Sequence, residues 1–324
     1  MAVAVSAFTA LARSEFMQGK MAADDKPFPA AHEAFTTSFP STTSVETHTY
    51  MSNLPRLTEF KGVNRLTKLV TKKYTVDNVE YRIGPIQVRK TDLDDDQIGG
   101  YLKTVQALPG RAQKDVGHKA LAHLALGTTN TCFDGSTFFA NSHTIGSGDN
   151  LDTVNMAASD GVTHKIIALV LDNPVIKPII YQDREKLSGL MTDADTPQAA
   201  LQKEHLYWAD TRFGLGYGFW WDAYHLTITD TPTVAEVIET IIPQIINGFR
   251  TFTLPKGDDG DDTLYVHEGW VPAANNFTLL CNLKLAEILQ TACRKDTYPA
   301  SGGVGTMNQY QDKFTVVPTS ALGA

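Results

Sequence analysis

Apolar residues recur at near-helical spacing at the start of the chain, where Val3, Phe8, Leu11 and Phe16 mark one face of "MAVAVSAFTALARSEFMQGK". That periodicity predicts an amphipathic helix. The pattern then dissolves. "ADDKPFPAAHEAF" and "TTSFPSTTSVETHTY" hold too few regularly spaced apolar residues to fold alone. Residues 1–55 therefore read as an N-terminal arm ordered against something else, with a loose terminus as the alternative. Alternation returns in "LTKLVTKKYTV" and "VEYRIGPIQVRK", which flank Asp77-Asn78 and predict a long hairpin closed by a tight two-residue turn. Tyr74, Val76, Tyr81 and Ile83 supply its apolar positions, and charges occupy both faces. A two-stranded ribbon with so little to bury needs a partner.

From about Asp94 to Ala125 the spacing turns helical, with Ile98, Tyr101, Leu102, Val105 and Leu108 on one stripe that Val116, Leu121 and Leu124 continue. Pro109-Gly110 should bend or break this helix, and Gly127 should stop it. Beyond it, "HKIIALVLDNPVIKPIIYQDR" holds two strand-like runs around Asn173-Pro174. "LYWADTRFGLGYGFWWDAYHLTI" reads as long, glycine-spaced strands of an antiparallel sheet. A short helix is predicted in "DTPQAALQKEH", another after Thr233, whose Glu236 three positions on completes a capping box, and a last one over about Asn276 to Ala292. No regular strand–helix alternation appears, so the predicted class is α+β.

Composition narrows the possibilities. A chain of 324 residues with 42% hydrophobic and 20% charged residues is an ordinary globular one, long enough for a sizeable core. The net charge of −8 argues against a general nucleic-acid coat. No segment has the length of a membrane span, and the N-terminus lacks the basic start of a signal peptide. Cys132, Cys281 and Cys293 have no metal-like spacing and read as reduced thiols.

Charge is unevenly distributed. Arg56, Lys61, Arg65, Lys68, Lys72 and Lys73 stand against Glu59 alone, and "TDLDDDQ" then supplies Asp92, Asp94, Asp95 and Asp96. A basic ribbon followed by an acidic knuckle can pair head to tail between identical copies, a contact that builds rings. The four aspartates also suit a helix N-terminus, where carboxylates meet free N–H groups. The expected inter-subunit contacts are Arg65, Lys68, Lys72, Lys73, Tyr74, Tyr81, Arg82, Asp92, Asp94, Asp95 and Asp96.

Candidate chemistry is sparse. No phosphate loop, dinucleotide fingerprint, zinc spacing or nucleophile elbow occurs, so no cofactor, metal or catalytic residue is expected. "GLGYG" has no lysine and no helix after it, and "KGDDGDD" lacks the ligand periodicity of a calcium loop. "CFDGSTFFANSH" holds Asp134, Ser136, Ser142 and His143, which would have to converge to make a hydrolase. The competing reading is a structural loop with an Asp-Gly turn and phenylalanine anchors.

Taken in order, "ETHTYMSNLPRLTEFKG", "YTVDNVEYRIGPIQVRKTDLDDDQIGGY", "CFDGSTFFANSH", "VIKPIIYQDR" and "TRFGLGYGFWWDAY" resemble the Mu-like prophage major head subunit (gpT) family. The likeness is collinear from about Thr42 to Tyr224 and looser beyond. It implies a Hong Kong 97-type phage capsid fold, with an N-terminal arm (1–55) and an E-loop (56–91). A P domain (92–227) would carry a spine helix at about 94–126, and an A domain (228–324) would follow. It also implies a major capsid protein that self-assembles into the hexamers and pentamers of an icosahedral virion shell, built in the host bacterial cytoplasm. Implied partners are a separate scaffolding protein, a portal, decoration proteins and non-specifically held packaged dsDNA, with no membrane. The alternatives are a tail or baseplate component and a soluble hydrolase using His143.

Overall fold

A computed structural model describes residues 5–24, 33–51, 71–95, 99–144, 150–151, 154–157, 164–171, 176–189, 191–192, 203–254, 264–265, 277–299 and 305–323. The class is α+β, as predicted. Among the described residues, two five-stranded sheets organise it. In the first, β1 (Thr36–Pro40) runs parallel to β6 (Ile179–Glu185), which pairs antiparallel with β7 (Glu204–Tyr217). The 14-residue β7 is long enough to be shared, and its N-terminal part pairs with β4 (Val79–Arg89) and with Met191–Thr192. In the second sheet, β5 (His164–Val170) sits between β8 (Ala223–Ile228) and β9 (Phe277–Cys281), with β10 (Thr315–Pro318) outside β9 and Met156–Ala157 outside β8. The two apolar runs around Asn173-Pro174 are thus strands of different sheets, and so are the two halves of the aromatic, glycine-spaced stretch.

The predicted N-terminal helix is α1 (Val5–Asp24), and its partner is its own chain's α2 (Gly100–Ala125). Its buried face keeps Phe16 of the expected stripe but not Leu11, and small residues fill the rest. Leu11 is 47% exposed, while Ala12, Phe16, Gly19 and Ala23 are buried. Small residues at this spacing let the helices close in, since a Cβ on Gly19 would come within 2.0 Å of the Gln106 carbonyl oxygen. Ala12 and Phe16 join Val88, Val105, Tyr207 and Ala209 in a minor core.

The long helix departs from expectation at three points. It begins at Gly100, after a separate short helix Lys90–Asp94, and its N-cap is Gly99 in the left-handed region, a residue with no side chain to cap with. Pro109 does not break it. Pro109 is buried, and tertiary packing outweighs the lost i→i−4 bond there. The helix ends at Ala125, and Gly127 follows in a single 3₁₀ turn.

The major core lies between the second sheet and α3, which comprises Val234–Glu236, a π-helical turn Val237–Ile241 and Ile242–Arg250. The capping box forms as read. The Glu236 N–H donates to Thr233 Oγ1 at 3.3 Å, and the Thr233 N–H donates to Glu236 Oε2 at 2.7 Å. The predicted helix over Asn276 to Ala292 is shorter, α4 (Ala286–Arg294), because Phe277–Cys281 is the fully buried β9. A continuous apolar run suits either state, and here two flanking strands decide it. The predicted helix in "DTPQAALQKEH" falls almost wholly outside the described residues.

The predicted hairpin is re-paired. β3 (Thr71–Asp77) runs antiparallel to β2 (Val45–Met51), with Tyr50 opposite Lys72 and His48 opposite Tyr74, while β4 turns away to β7. Asp77-Asn78 is therefore a junction between two pairings, not a hairpin turn. No helix among the described residues is long and apolar enough to cross a membrane.

Candidate functional site

Two places hold the residues singled out from sequence: the loop after α2 and the layer formed by β2, β3 and β4. The loop begins where α2 ends and is pinned by its phenylalanines, as expected. Phe133, Phe138 and Phe139 are buried. Phe138 stacks on Tyr217 at 4.6 Å, and Phe139 lies 5.1 Å from His225.

Beneath these rings the polar residues converge on one another. His143 is fully buried, its ring stacked on Trp220 at 4.0 Å and 5°. Its Nδ1 lies 2.7 Å from Asp134 Oδ2 and its Nε2 3.1 Å from Asn155 Oδ1. Asn155 fixes the proton arrangement. Its Oδ1 accepts from the Ala140 N–H, and its Nδ2 donates to the Phe138 and Trp220 carbonyls. The amide oxygen therefore faces His143, and Nε2 donates to it. Asp134 Oδ1 accepts from the Ser136 N–H at 2.9 Å and from the Cys132 thiol at 3.0 Å. Burial alone would push the Asp134 carboxyl up, but hydrogen bonds from His143 and Cys132, the His143 charge and the Ser136 N–H together hold it below its ordinary value. His143 thus lies between a carboxylate oxygen and an amide oxygen, and its contact with Asp134 is a buried hydrogen bond that becomes an ion pair when the imidazole is protonated.

This geometry is unsuited to nucleophilic catalysis. Neither Ser136 nor Ser142 places its hydroxyl on the imidazole, whose two nitrogens are taken by Asp134 and Asn155. Cys132 donates to the carboxylate, not to a base, and burial followed by the Asp134 charge pushes its thiol far up, away from the reactive thiolate. The donor atoms of Cys132, Asp134 and His143 lie within 4.8 Å of one another, a metal-like grouping, but they are spent as hydrogen-bond partners of each other. Asn155, the residue that organises the cluster, carried no local signal, since it reaches the loop only through the fold.

In the other layer, "GLGYG" explains itself. A Cβ on Gly214 would lie 2.7 Å from the Asp77 carbonyl oxygen, and one on Gly216 would lie 2.5 Å from Val76 Cγ2. The two glycines share one face of β7 and let β3 cross directly over it. Asn78 locks the crossing. Buried, it donates through Nδ2 to Ser41 Oγ at 2.7 Å and to the Thr43 carbonyl at 2.8 Å. Glu46 closes the same turn, and N–H groups of Thr42 and Thr43 with the Ser41 hydroxyl hold its carboxyl down at about 2.

The residues expected at subunit contacts divide accordingly. Arg65, Lys68 and Asp96 lie outside the described residues, as does the Asp94 side chain. Tyr74 is half-buried against β7, and burial raises its phenol pKa. Tyr81 stacks on Phe213 at 4.4 Å with Lys119 Nζ 4.3 Å from its centroid, and Arg82 Nε bonds Asp210 Oδ1 at 2.7 Å. Lys73, Asp92 and Asp95 are exposed and Lys72 half-exposed.

Buried histidines give the fold a pH dependence. Burial lowers His123 and His225 to about 4, the nearby Lys165 charge adding to the effect on His225. Both are neutral when folded and take a proton near 6.5 once unfolded, so the unfolded state binds more protons between these limits. Stability is full above pH 6.5 and falls towards pH 4, by up to about 3 kcal/mol per histidine. A urea series across that window should show the midpoint dropping steadily. A flat midpoint would mean that neither ring is buried neutral.

The sequence matches the family of the Mu-like prophage major head subunit gpT over residues 5–241. It is 30% identical over 199 residues to the Mu-like prophage FluMu major head subunit of Haemophilus influenzae, covering 59% of this chain and 64% of that protein. It is 27% identical over 186 residues to the major capsid protein of Escherichia phage Mu, covering 56% of this chain and 61% of that one. The matched region thus spans less than two thirds of either relative. The fold is that of the subunit in the bacteriophage JBD30 procapsid, with a TM-score of 0.72 and 22% identity over 99% of this chain and 100% of that one. The subunit of the JBD30 capsid gives 0.70 and 17% over 91% and 92%.

Proposed function

The chain belongs to the Mu-like prophage major head subunit gpT family, and from that membership we propose that it is the major capsid protein of a tailed phage or prophage. It would self-assemble into hexamers and pentamers of an icosahedral shell around double-stranded DNA. The family match over 5–241 carries this reading, and the architecture supports it, since the chain takes a phage capsid fold over nearly its whole length. The role is structural. The one cluster that looked chemical is a buried clasp that ties the loop after α2 to the second sheet.

The domain reading follows the same line: an arm at 1–55, an E-loop at 56–91, a P domain at 92–227 and an A domain at 228–324. The sheet of β1, β4, β6 and β7 with α2 suits the P domain, and α3 with α4 on the second sheet suits the A domain. That second sheet also draws in β5 and β8 from the segment before 228. Assembly through arm and loop sums many weak contacts into a stable shell. Lys72 and Lys73 on β3, with exposed Asp92 and Asp95, suit a basic-to-acidic contact between copies. A separate scaffolding protein, a portal and decoration proteins complete the proposed partners, and assembly in the host cytoplasm the proposed setting.

Negative-stain microscopy of the purified chain, alone and co-expressed with its scaffold, tests this directly. Closed shells, tubes or sixfold rings are expected, and Lys72→Glu/Lys73→Glu should lower their yield severalfold. Monodisperse monomers in both preparations would favour a minor structural role and sink the proposal.

A further inference from the structure

The crossing of α1 over α2 leaves a groove of about 700 Å³ beside the last turns of α1. Its α2 wall carries Lys103, Arg111 and Lys114, all exposed, with Asp115 as the opposing charge. None of the three cations has an ion-pair partner among the described residues. At 100° per residue they fall on one helix stripe, and at 1.5 Å per residue they span about 16 Å. In a chain of net charge −8, a cationic row along a cleft, without ion-pair partners among the described residues, is a local exception that favours an anionic ligand.

Gly110 points the same way. It sits mid-helix in the wall of this groove, and an added Cβ would meet nothing within 4 Å. Unlike Gly19, it is not required by packing inside the subunit. A glycine there weakens the helix with no internal return, which is the signature of a backbone that something else approaches closely.

We propose that this groove holds the phosphate backbone of double-stranded nucleic acid, making it the face of the subunit turned to the packaged duplex. The identity of the polyanion rests on the capsid reading; the chemistry of the site does not. A protein segment suits the groove less well. Binding between proteins concentrates on aromatic and large aliphatic anchors, and the lining offers instead glycine, alanine and polar or charged side chains. Three cations without base-reading partners imply sequence-independent contact whose strength falls steeply with salt.

The test is fluorescence anisotropy of the full-length protein with a labelled 20-base-pair duplex, from 50 to 300 mM NaCl. The natural chain should bind with a log–log salt slope of roughly −3, about 0.9 per phosphate contacted. Lys103→Gln/Arg111→Gln/Lys114→Gln should bind at least tenfold more weakly at 50 mM with a slope near zero, while Arg294→Gln/Lys295→Gln, at the C-terminal end of α4, should bind as the natural chain does. Gly110→Leu should raise the melting temperature yet weaken duplex binding, a pairing that a purely structural role for Gly110 does not produce. Thermal unfolding and shell assembly of the triple variant separate this inference from the capsid reading: shells that form normally but no longer bind duplex uphold both. A folded triple variant that binds as tightly as the natural chain would overturn the groove. So would a natural chain that ignores the duplex and binds polyglutamate, which would mark the groove as a seat for an acidic protein.

Discussion

His143→Ala should destabilise the subunit by about 3–5 kcal/mol, the usual cost of leaving a buried charge without its partner. The loss comes mainly from what remains behind. Asp134, its side chain 1% exposed, would keep its negative charge with only the Ser136 N–H and the Cys132 thiol to satisfy it. Asn155 Oδ1 would lose one donor, and Trp220 would lose the ring stacked 4.0 Å away. Asp134→Ala/His143→Ala should lose clearly less than the sum of the two single variants, because neither charge is then stranded. Urea midpoints for the four proteins of this cycle measure the coupling. A loss below about 1 kcal/mol in His143→Ala would show that the contact carries no buried charge pair.

Gly216→Val pits two effects against each other. Valine is among the best strand residues and glycine among the worst, so local propensity predicts a gain of up to about 1 kcal/mol. The crossing of β3 over β7 predicts the reverse. The new Cβ would begin 2.5 Å from Val76 Cγ2 and 3.0 Å from the Tyr74 ring, and Val76 is itself 3% exposed. Overpacking of this kind costs about 1–3 kcal/mol, and here the backbone of β3 must also lift. A net loss of about 2 kcal/mol is expected, accompanied by poorer assembly as the β2–β3 ribbon leaves its seat. Increased stability with unchanged assembly would mean that the two strands do not cross this closely.

Much of this protein is legible along the chain because its signals are local. The first helix, the strands around Asn173-Pro174, the capping box at Thr233 and Glu236, and the phenylalanine anchors of the loop after α2 each follow from residues a few positions apart. Period, cap and turn chemistry act within that range, so no knowledge of the rest of the fold is required. The order of five motifs likewise pointed to the gpT family, which the match over 5–241 bears out.

What the chain alone left undecided is which elements meet. Asp77-Asn78 has good turn residues, yet β3 pairs with β2 because the Ser41–Glu46 turn and buried Asn78 bind the two junctions together. Phe277–Cys281 is apolar enough for helix or strand, and its seat between β5 and β10 settles the choice. The aspartates before α2 have capping side chains, but Gly99 occupies the cap. His143 becomes the buried partner of Asp134 through Asn155, twelve residues on, and through Trp220 from another strand connection. The reason is common to all four. Helix period and turn type are set by energies within a few residues, whereas strand partners and buried charges are set by contacts between segments far apart, each one contingent on the others being in place.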